Sequence, residues 1–127
     1  MTVWAIIRFQ FEGWHRWKDA PETDEKTGYS LKFLRDLHRH VFHVEVWIQQ
    51  THSERDIEYL SFKNWLTDPV NDVMELDWPI QKKFGITEED SCETMAAKIK
   101  SFIKDSYPGR KIRVFVFEDT ENGACVE

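Results

Sequence analysis

The sequence has only two cysteines, Cys92 and Cys125, among its 127 residues, so a disulfide framework cannot organise the fold. Free thiols are typical of a reducing compartment, and no charged-then-apolar leader opens the chain, so we expect a cytoplasmic protein. Long apolar runs are also missing. The longest span only a few residues, as in residues 3–7 (VWAII), which excludes a transmembrane helix and a membrane partner.

An excess of basic residues is missing as well. The formal net charge is -6, and contacts to phosphates need clustered Lys and Arg, so nucleic acid is not the expected partner. Aromatic residues, in contrast, are plentiful: six Trp and nine Phe can build a sizeable core or an aromatic-lined interface. The length corresponds to a single domain over residues 1–127.

Hydrophobic periodicity predicts four strands and two helices. The strands are expected at residues 3–11, 37–50, 111–118 and 124–126, with Asn122-Gly123 as the turn before the last strand. The helices are expected at residues 53–66 and 91–107, with Asp90 as a candidate cap of the second. Residues 18–29 and 68–85 read as irregular. The order β-β-α-α-β-β predicts an α+β protein with an antiparallel sheet and helices on one face.

Three of the five histidines are placed so that they could bind one metal ion together. His38 and His40 are two residues apart on a predicted strand, so their imidazoles project from the same face. His15 follows the first strand and could supply a third nitrogen if the two strands form a hairpin. Three imidazoles with an open fourth position are typical of catalytic zinc. A pair of surface or hydrogen-bonded side chains is the alternative, and we do not expect His43 or His52 to be ligands.

Four motifs resemble the 6-pyruvoyl-tetrahydropterin and 6-carboxy-tetrahydropterin synthase family. Residues 11–16 (FEGWHR) are similar to the family's F-x-A-A-H-R, and residues 37–42 (LHRHVF) to its L-H-G-H-x-F. Residues 91–96 (SCETMA) are similar to its P-T-x-E-x-L-A, and residues 118–124 to its E-T…A strand end. The resemblance covers nearly the whole chain in register.

This resemblance implies a T-fold, a four-stranded antiparallel sheet with two helices, assembled into homo-oligomers that are trimers or hexamers. It implies Zn²⁺ held by His15, His38 and His40, and Glu118 as the anchor of a pterin ring. Ser91 and Cys92 at a helix N-terminus could offer backbone N–H groups to the same ring. The family's substrate is dihydroneopterin triphosphate, from which triphosphate or a two-carbon fragment leaves, so a carbon-oxygen lyase is expected.

The sequence departs from the family at its acid-base groups. Leu34 is nearest to the position of the family's cysteine base, and Asp77-Trp78 replaces its Asp-His pair. Asp77 stays a candidate catalytic residue that could orient a water or proton donor, and a turn or cap carboxylate is its alternative role. Arg39 replaces the glycine between the zinc histidines. Substitute bases could come from the acidic and basic residues of the preceding loop, namely Asp19, Glu22, Asp24, Glu25, Lys32 and Asp36.

Three functions are compatible with these residues. The first is a zinc-dependent enzyme that acts on a pterin- or guanine-derived small molecule with altered acid-base groups. The second is a non-catalytic T-fold module that binds a pterin- or purine-like ligand, on which Trp78 could stack. The third is a metal-free interaction protein in which the histidines are incidental. We prefer the first, because the departures alter the site without removing its ligands.

Overall fold

The structure, a computed structural model, describes residues 1–68 and 79–127 as an α+β fold with a four-stranded antiparallel sheet. The strands are β1 (Trp4–His15), β2 (His38–Gln49), β3 (Ile112–Glu118) and β4 (Asn122–Val126), in the spatial order β1-β2-β3-β4. The helices are α1 (Tyr59–Thr67), α2 (Pro79–Phe84) and α3 (Cys92–Ser106), and a 3-10 helix (Lys32–Arg35) precedes β2. The predicted class and antiparallel sheet are confirmed.

One face of the sheet forms the core against the helices. In β1, β2 and β3, every second side chain is buried, which is the period of a strand with one covered face. The predicted alternation of all three strands is therefore confirmed. The helices contribute the other half of the core, and its fully or nearly fully buried members include Phe62, Leu66, Met95, Ile99 and Ile103.

The described residues hold three α-helices rather than the two that were predicted. The additional helix, α2, lies in the stretch that the sequence analysis treated as irregular. Pro79 does not interrupt this helix, because it occupies the first helical position, where its missing N–H has no helical partner to lose. Gly85 follows the helix with a φ of +70°, the left-handed conformation of a helix C-terminus.

The first helix begins later than predicted, at Tyr59 instead of residue 53. The cause is Asp56, whose carboxylate accepts a hydrogen bond from the Thr51 backbone N–H at 2.8 Å and pairs with Arg110 at 2.6 Å. These contacts hold residues 51–57 as an irregular segment. Glu58 then caps α1 by accepting a hydrogen bond from the Ser61 N–H.

Asp56 makes the stability of the fold dependent on acid pH. The Thr51 N–H and the Arg110 guanidinium lower the pKa of Asp56 from 3.8 to about 2, against the opposing effect of burial. Its contribution to stability is therefore present above pH 3.8 and is lost as the pH falls through about 2. We expect Asp56→Asn to destabilise the protein at neutral pH, with a difference from wild type that shrinks below pH 3.8. Urea denaturation across a pH series measures this, and a constant difference throughout would contradict it.

Helix α3 begins where predicted, but a different side chain caps it. Ser91 accepts the hydrogen bond from the Thr94 N–H at 3.2 Å, so Asp90 is not the cap. The Asp90 carboxylate is occupied elsewhere, because it accepts from the Thr87 N–H at 2.9 Å and pairs with Lys98 at 2.6 Å. Asp90 is thereby fixed just outside the helix, with its backbone carbonyl free to serve the site described below.

The turn between β3 and β4 also differs from the prediction. Asn122 pairs with Glu118 and Gly123 with Phe117, so Asn122-Gly123 lies in β4 and the turn consists of residues 119–121. Gly123 is required for close packing rather than for turning, since a Cβ there would collide with the Val116 carbonyl oxygen.

Within residues 1–68 and 79–127, none of the helices has the length and apolar character needed to cross a lipid bilayer.

Candidate metal centre

A β-hairpin brings the three predicted histidines together. In the antiparallel register of β1 and β2, His15 lies directly opposite His38, and Gly13 lies opposite His40. The ring centroids are 4.5 to 5.2 Å apart, and one nitrogen from each ring lies within 4.8 Å of the other two. The strand periodicity that put these side chains on one face therefore also assembles them into one cluster.

All three rings are oriented by hydrogen bonds at Nδ1. His15 Nδ1 contacts the Asp90 carbonyl oxygen at 3.0 Å, and His38 Nδ1 contacts the Asp36 carbonyl oxygen at 2.8 Å. His40 Nδ1 contacts the Asp119 carboxylate at 2.5 Å. Carbonyl and carboxylate oxygens only accept, so each neutral ring carries its hydrogen on Nδ1. Each Nε2 then keeps a free lone pair, as a metal ligand needs.

The most buried of these nitrogens lacks a hydrogen-bonding partner. His15 is 7% exposed, and its Nε2, although 3.2 Å from a Glu118 carboxylate oxygen, makes no well-aligned hydrogen bond with any described residue. A buried polar atom without a partner is destabilising, and native structures rarely contain one without a reason. A bound cation would satisfy this nitrogen. Three neutral imidazoles are a donor set that suits Zn²⁺ and other divalent transition metals, so the residues present fit a metal ion.

Glu118, at the end of β3, lies beside the histidine cluster. Its carboxylate oxygens are 3.2 Å from His15 Nε2 and 3.6 Å from His40 Nε2. The His15 ring lowers the pKa of Glu118, against the effect of burial. Burial would lower the pKa of His15, but the Glu118 carboxylate and the Asp90 carbonyl raise it. Glu118 is thus an anion held beside the ring nitrogens of His15 and His40.

His15 and His38 open onto a cavity of about 500 Å³, a volume in the range of small-molecule sites. Glu118, Ser91 and Cys92 line this cavity, so the predicted ring-binding residues lie in one place with two of the predicted metal ligands, His15 and His38. Arg16, which also lines the cavity, is paired with the Glu89 carboxylate at 2.8 Å. Its charge is therefore partly neutralised before any ligand arrives.

Cys92 is a buried thiol in the wall of the cavity. Its sulfur lies 3.9 Å from a Glu118 carboxylate oxygen. Burial, and then the charge of Glu118, raise the pKa of Cys92 to about 12. The thiol is therefore neutral at physiological pH and cannot act as a thiolate base or nucleophile.

The two cysteines are expected to differ in reactivity. Cys125 is exposed on β4, whereas Cys92 is 6% exposed and neutral. A thiol reagent at slightly alkaline pH should modify about one cysteine per native chain, and both should react after denaturation. Cys125→Ser is the control, and it should abolish the native reaction. Rapid labelling of Cys92 in the folded Cys125→Ser protein would contradict this structure of the cavity.

The departures from the family motifs fall at different places. Leu34 lines the cavity, so an apolar side chain occupies the wall near the expected base. Arg39 is exposed and pairs with Glu12 at 2.6 Å, so it points away from the histidines. Asp77 and Trp78 lie outside the described residues. None of the substitute bases that were considered in the loop lines the cavity as described, namely Asp19, Glu22, Asp24, Glu25, Lys32 and Asp36.

Sequence reasoning missed the groups that orient the rings. The carbonyl oxygens of Asp36 and Asp90 leave no signal in the sequence, because any residue has such an oxygen. Asp119 could have been found, since it is a carboxylate directly after Glu118 at a strand end. The prediction ended the third strand at residue 118 but assigned Asp119 no role, because its contact with His40 depends on the pairing of distant strands.

Comparison with models of known protein families gave no match, and comparison with curated proteins gave none either.

Proposed function

We propose that this chain is a zinc-dependent protein of the tetrahydropterin synthase type. The convergence of one imidazole nitrogen from each of three histidines, two of which line a cavity of small-molecule size, carries the proposal. His15, His38 and His40 would hold the ion, and the cavity side would keep its fourth position available to substrate. Bound Zn²⁺ would polarise a substrate hydroxyl or carbonyl and make its neighbouring proton easier to remove.

The proposed substrate is a pterin- or guanine-derived small molecule such as dihydroneopterin triphosphate. Glu118 would accept hydrogen bonds from the N–H and NH₂ edge of the ring, which is the edge that both heterocycles share. Ser91 and Cys92 border the same cavity at the start of α3 and would add backbone N–H donors. Because Glu118 rests against His15 and His40, ring binding would draw its carboxylate away from the metal position.

The proposed reaction is a carbon-oxygen lyase step with altered acid-base groups. Cys92 stays neutral and Leu34 is apolar, so neither can accept the proton. Asp77 stays the proposed catalytic residue that orients a water or proton donor. A positioned acid-base group is typically worth about 10²–10⁴-fold in rate, so turnover depends strongly on this residue.

A non-catalytic pterin- or purine-binding module is the second candidate. The apolar Leu34 side chain in the cavity favours it, because a ligand-binding wall needs no proton acceptor at that point. In both cases we propose a T-fold that forms a homo-oligomer, a trimer or hexamer, in the cytoplasm. The strands β1 and β4 stand at the two edges of the described sheet, and pairing between chains would satisfy their backbone groups.

Incubation of the zinc-loaded protein with dihydroneopterin triphosphate separates the candidates. Release of triphosphate that is lost in Asp77→Asn supports the enzyme, whereas tight binding without turnover supports the module. His38→Ala is the matched control, and it should abolish turnover in the first case. Neither binding nor turnover would contradict both candidates for this substrate.

A further inference from the structure

The β3–β4 turn is held in an unfavourable backbone conformation. Asp119 and Thr120 have φ values of +50° and +64°, in the left-handed region where a side chain is disfavoured. Such a conformation persists only where neighbouring contacts hold it, and it often occurs at functional sites. The Glu121 N–H closes this turn by donating to the Glu118 carbonyl oxygen, and Asp119 makes the contacts that attach the turn to β2.

Asp119 bonds to two consecutive residues of β2. One carboxylate oxygen contacts His40 Nδ1 at 2.5 Å, and the other accepts from the Val41 N–H at 2.8 Å. The Asp119 backbone N–H also donates to the Val41 carbonyl oxygen at 2.9 Å. Three contacts therefore fix the carboxylate against His40, and the turn holds it there.

His40 differs from the other two histidines in its partner. His15 and His38 are oriented by neutral backbone carbonyls, whereas His40 is oriented by a charged carboxylate. A carboxylate is the stronger acceptor, and it makes the opposite ring nitrogen a better electron donor. Among the three ligands, His40 is therefore the one whose donor strength depends on a side chain that mutation can change.

We propose that Asp119 is the positioning residue of the metal centre, which fixes the tautomer and orientation of His40 from the β3–β4 turn. This inference rests on the proposed metal site, but it is independent of the substrate. The β3–β4 turn would then be part of the metal centre. Within the described residues, Asp119 is the residue of this turn that forms a hydrogen bond or ion pair with a histidine ring.

Asp119→Asn tests the proposal, with Glu121→Gln as its control. Asparagine can still accept from the Val41 N–H, but it then presents an NH₂ group to the His40 Nδ1–H. We expect zinc affinity, measured by chelator competition, to fall by about 10–100-fold. Glu121→Gln removes the same charge from the same exposed turn and should leave the affinity unchanged.

Two further measurements separate positioning from general damage to the fold. The absorption spectrum of the Co²⁺-loaded protein should change in Asp119→Asn and not in Glu121→Gln. In a His40→Ala background, Asp119→Asn should cause no additional loss of affinity, because its effect passes through His40. An equal loss with and without His40 would show a general effect of the turn and overturn the proposal.

The remaining outcomes are also decisive. If the wild-type protein binds zinc and Asp119→Asn binds it equally well, the positioning role is wrong and the metal site stands. If Glu121→Gln loses as much affinity as Asp119→Asn, charge in the turn explains the effect and the proposal fails. If the wild-type protein binds neither Zn²⁺ nor Co²⁺, the metal site and the positioning role fail together.

Discussion

Replacing His38 by alanine is expected to weaken zinc binding by more than about 100-fold, because loss of a ligand should exceed the 10–100-fold effect of losing a group that hydrogen-bonds to a ligand. His38 is the best of the three ligands for this test. It is only partly buried, and its Nδ1 partner is a backbone carbonyl near the surface. Chelator competition on the purified protein measures the effect.

His43→Ala is the matched control for His38→Ala. His43 is on the same strand but faces the opposite side of the sheet, where it pairs in register with Gln10 and Phe117. Its removal should leave zinc affinity unchanged and should alter thermal stability only slightly. Equal zinc affinity in the wild type and in His38→Ala would show that the cluster does not act as one site.

Replacing Phe42 by alanine is expected to lower the free energy of unfolding by about 3–5 kcal/mol. Phe42 has no exposed surface, and it stacks on Phe11 with ring centroids 5.3 Å apart. It also contacts the rings of His15 and His40, at centroid distances of 5.1 and 5.8 Å. The cavity left by alanine would remove packing from the core and from the support of two metal ligands. Urea denaturation with and without zinc measures both effects.

Phe115→Ala is the control for Phe42→Ala. Phe115 is a partly buried ring on the opposite face of the sheet, where it contacts Trp47 at 5.5 Å. Its loss should destabilise the protein less, and it should leave the stabilisation by zinc intact. Phe42→Ala should reduce that stabilisation. Full retention of the zinc effect in Phe42→Ala would contradict the supporting role of this ring.

The strands were predictable because their signal is local and strong. Val44, for example, alternates with His43 and Glu45, and a one-residue shift of β1 on β2 would move the buried side chains of the shifted strand to the other face. The observed register places His15 opposite His38, so the histidine cluster was predictable from the sheet. The histidines did not need to be close in sequence, because antiparallel pairing brings the ends of the hairpin arms together.

The differences arose where tertiary contacts override local preference. Asp56 forms an ion pair with Arg110, which is more than fifty residues away in sequence. This ion pair keeps residue 56 out of α1, and no local sequence pattern indicates it. Pro79 lies in a stretch that was predicted to be irregular, although the first helical position, which it occupies, favours proline. Asp119 contacts His40 across the sheet, and this long-range contact helps to hold Asp119 and Thr120 in the left-handed conformation of the turn. Local composition, in contrast, predicted the turn at Asn122-Gly123.

The metal content of the purified, untagged protein tests the central claim most directly. If the Nε2 atoms of His15, His38 and His40 converge on one ion, elemental analysis should find about one zinc or other divalent transition metal per chain. The apoprotein should also take up about one equivalent of zinc, and His38→Ala should not. A chain that is free of metal after purification and takes up none at micromolar zinc would contradict the account.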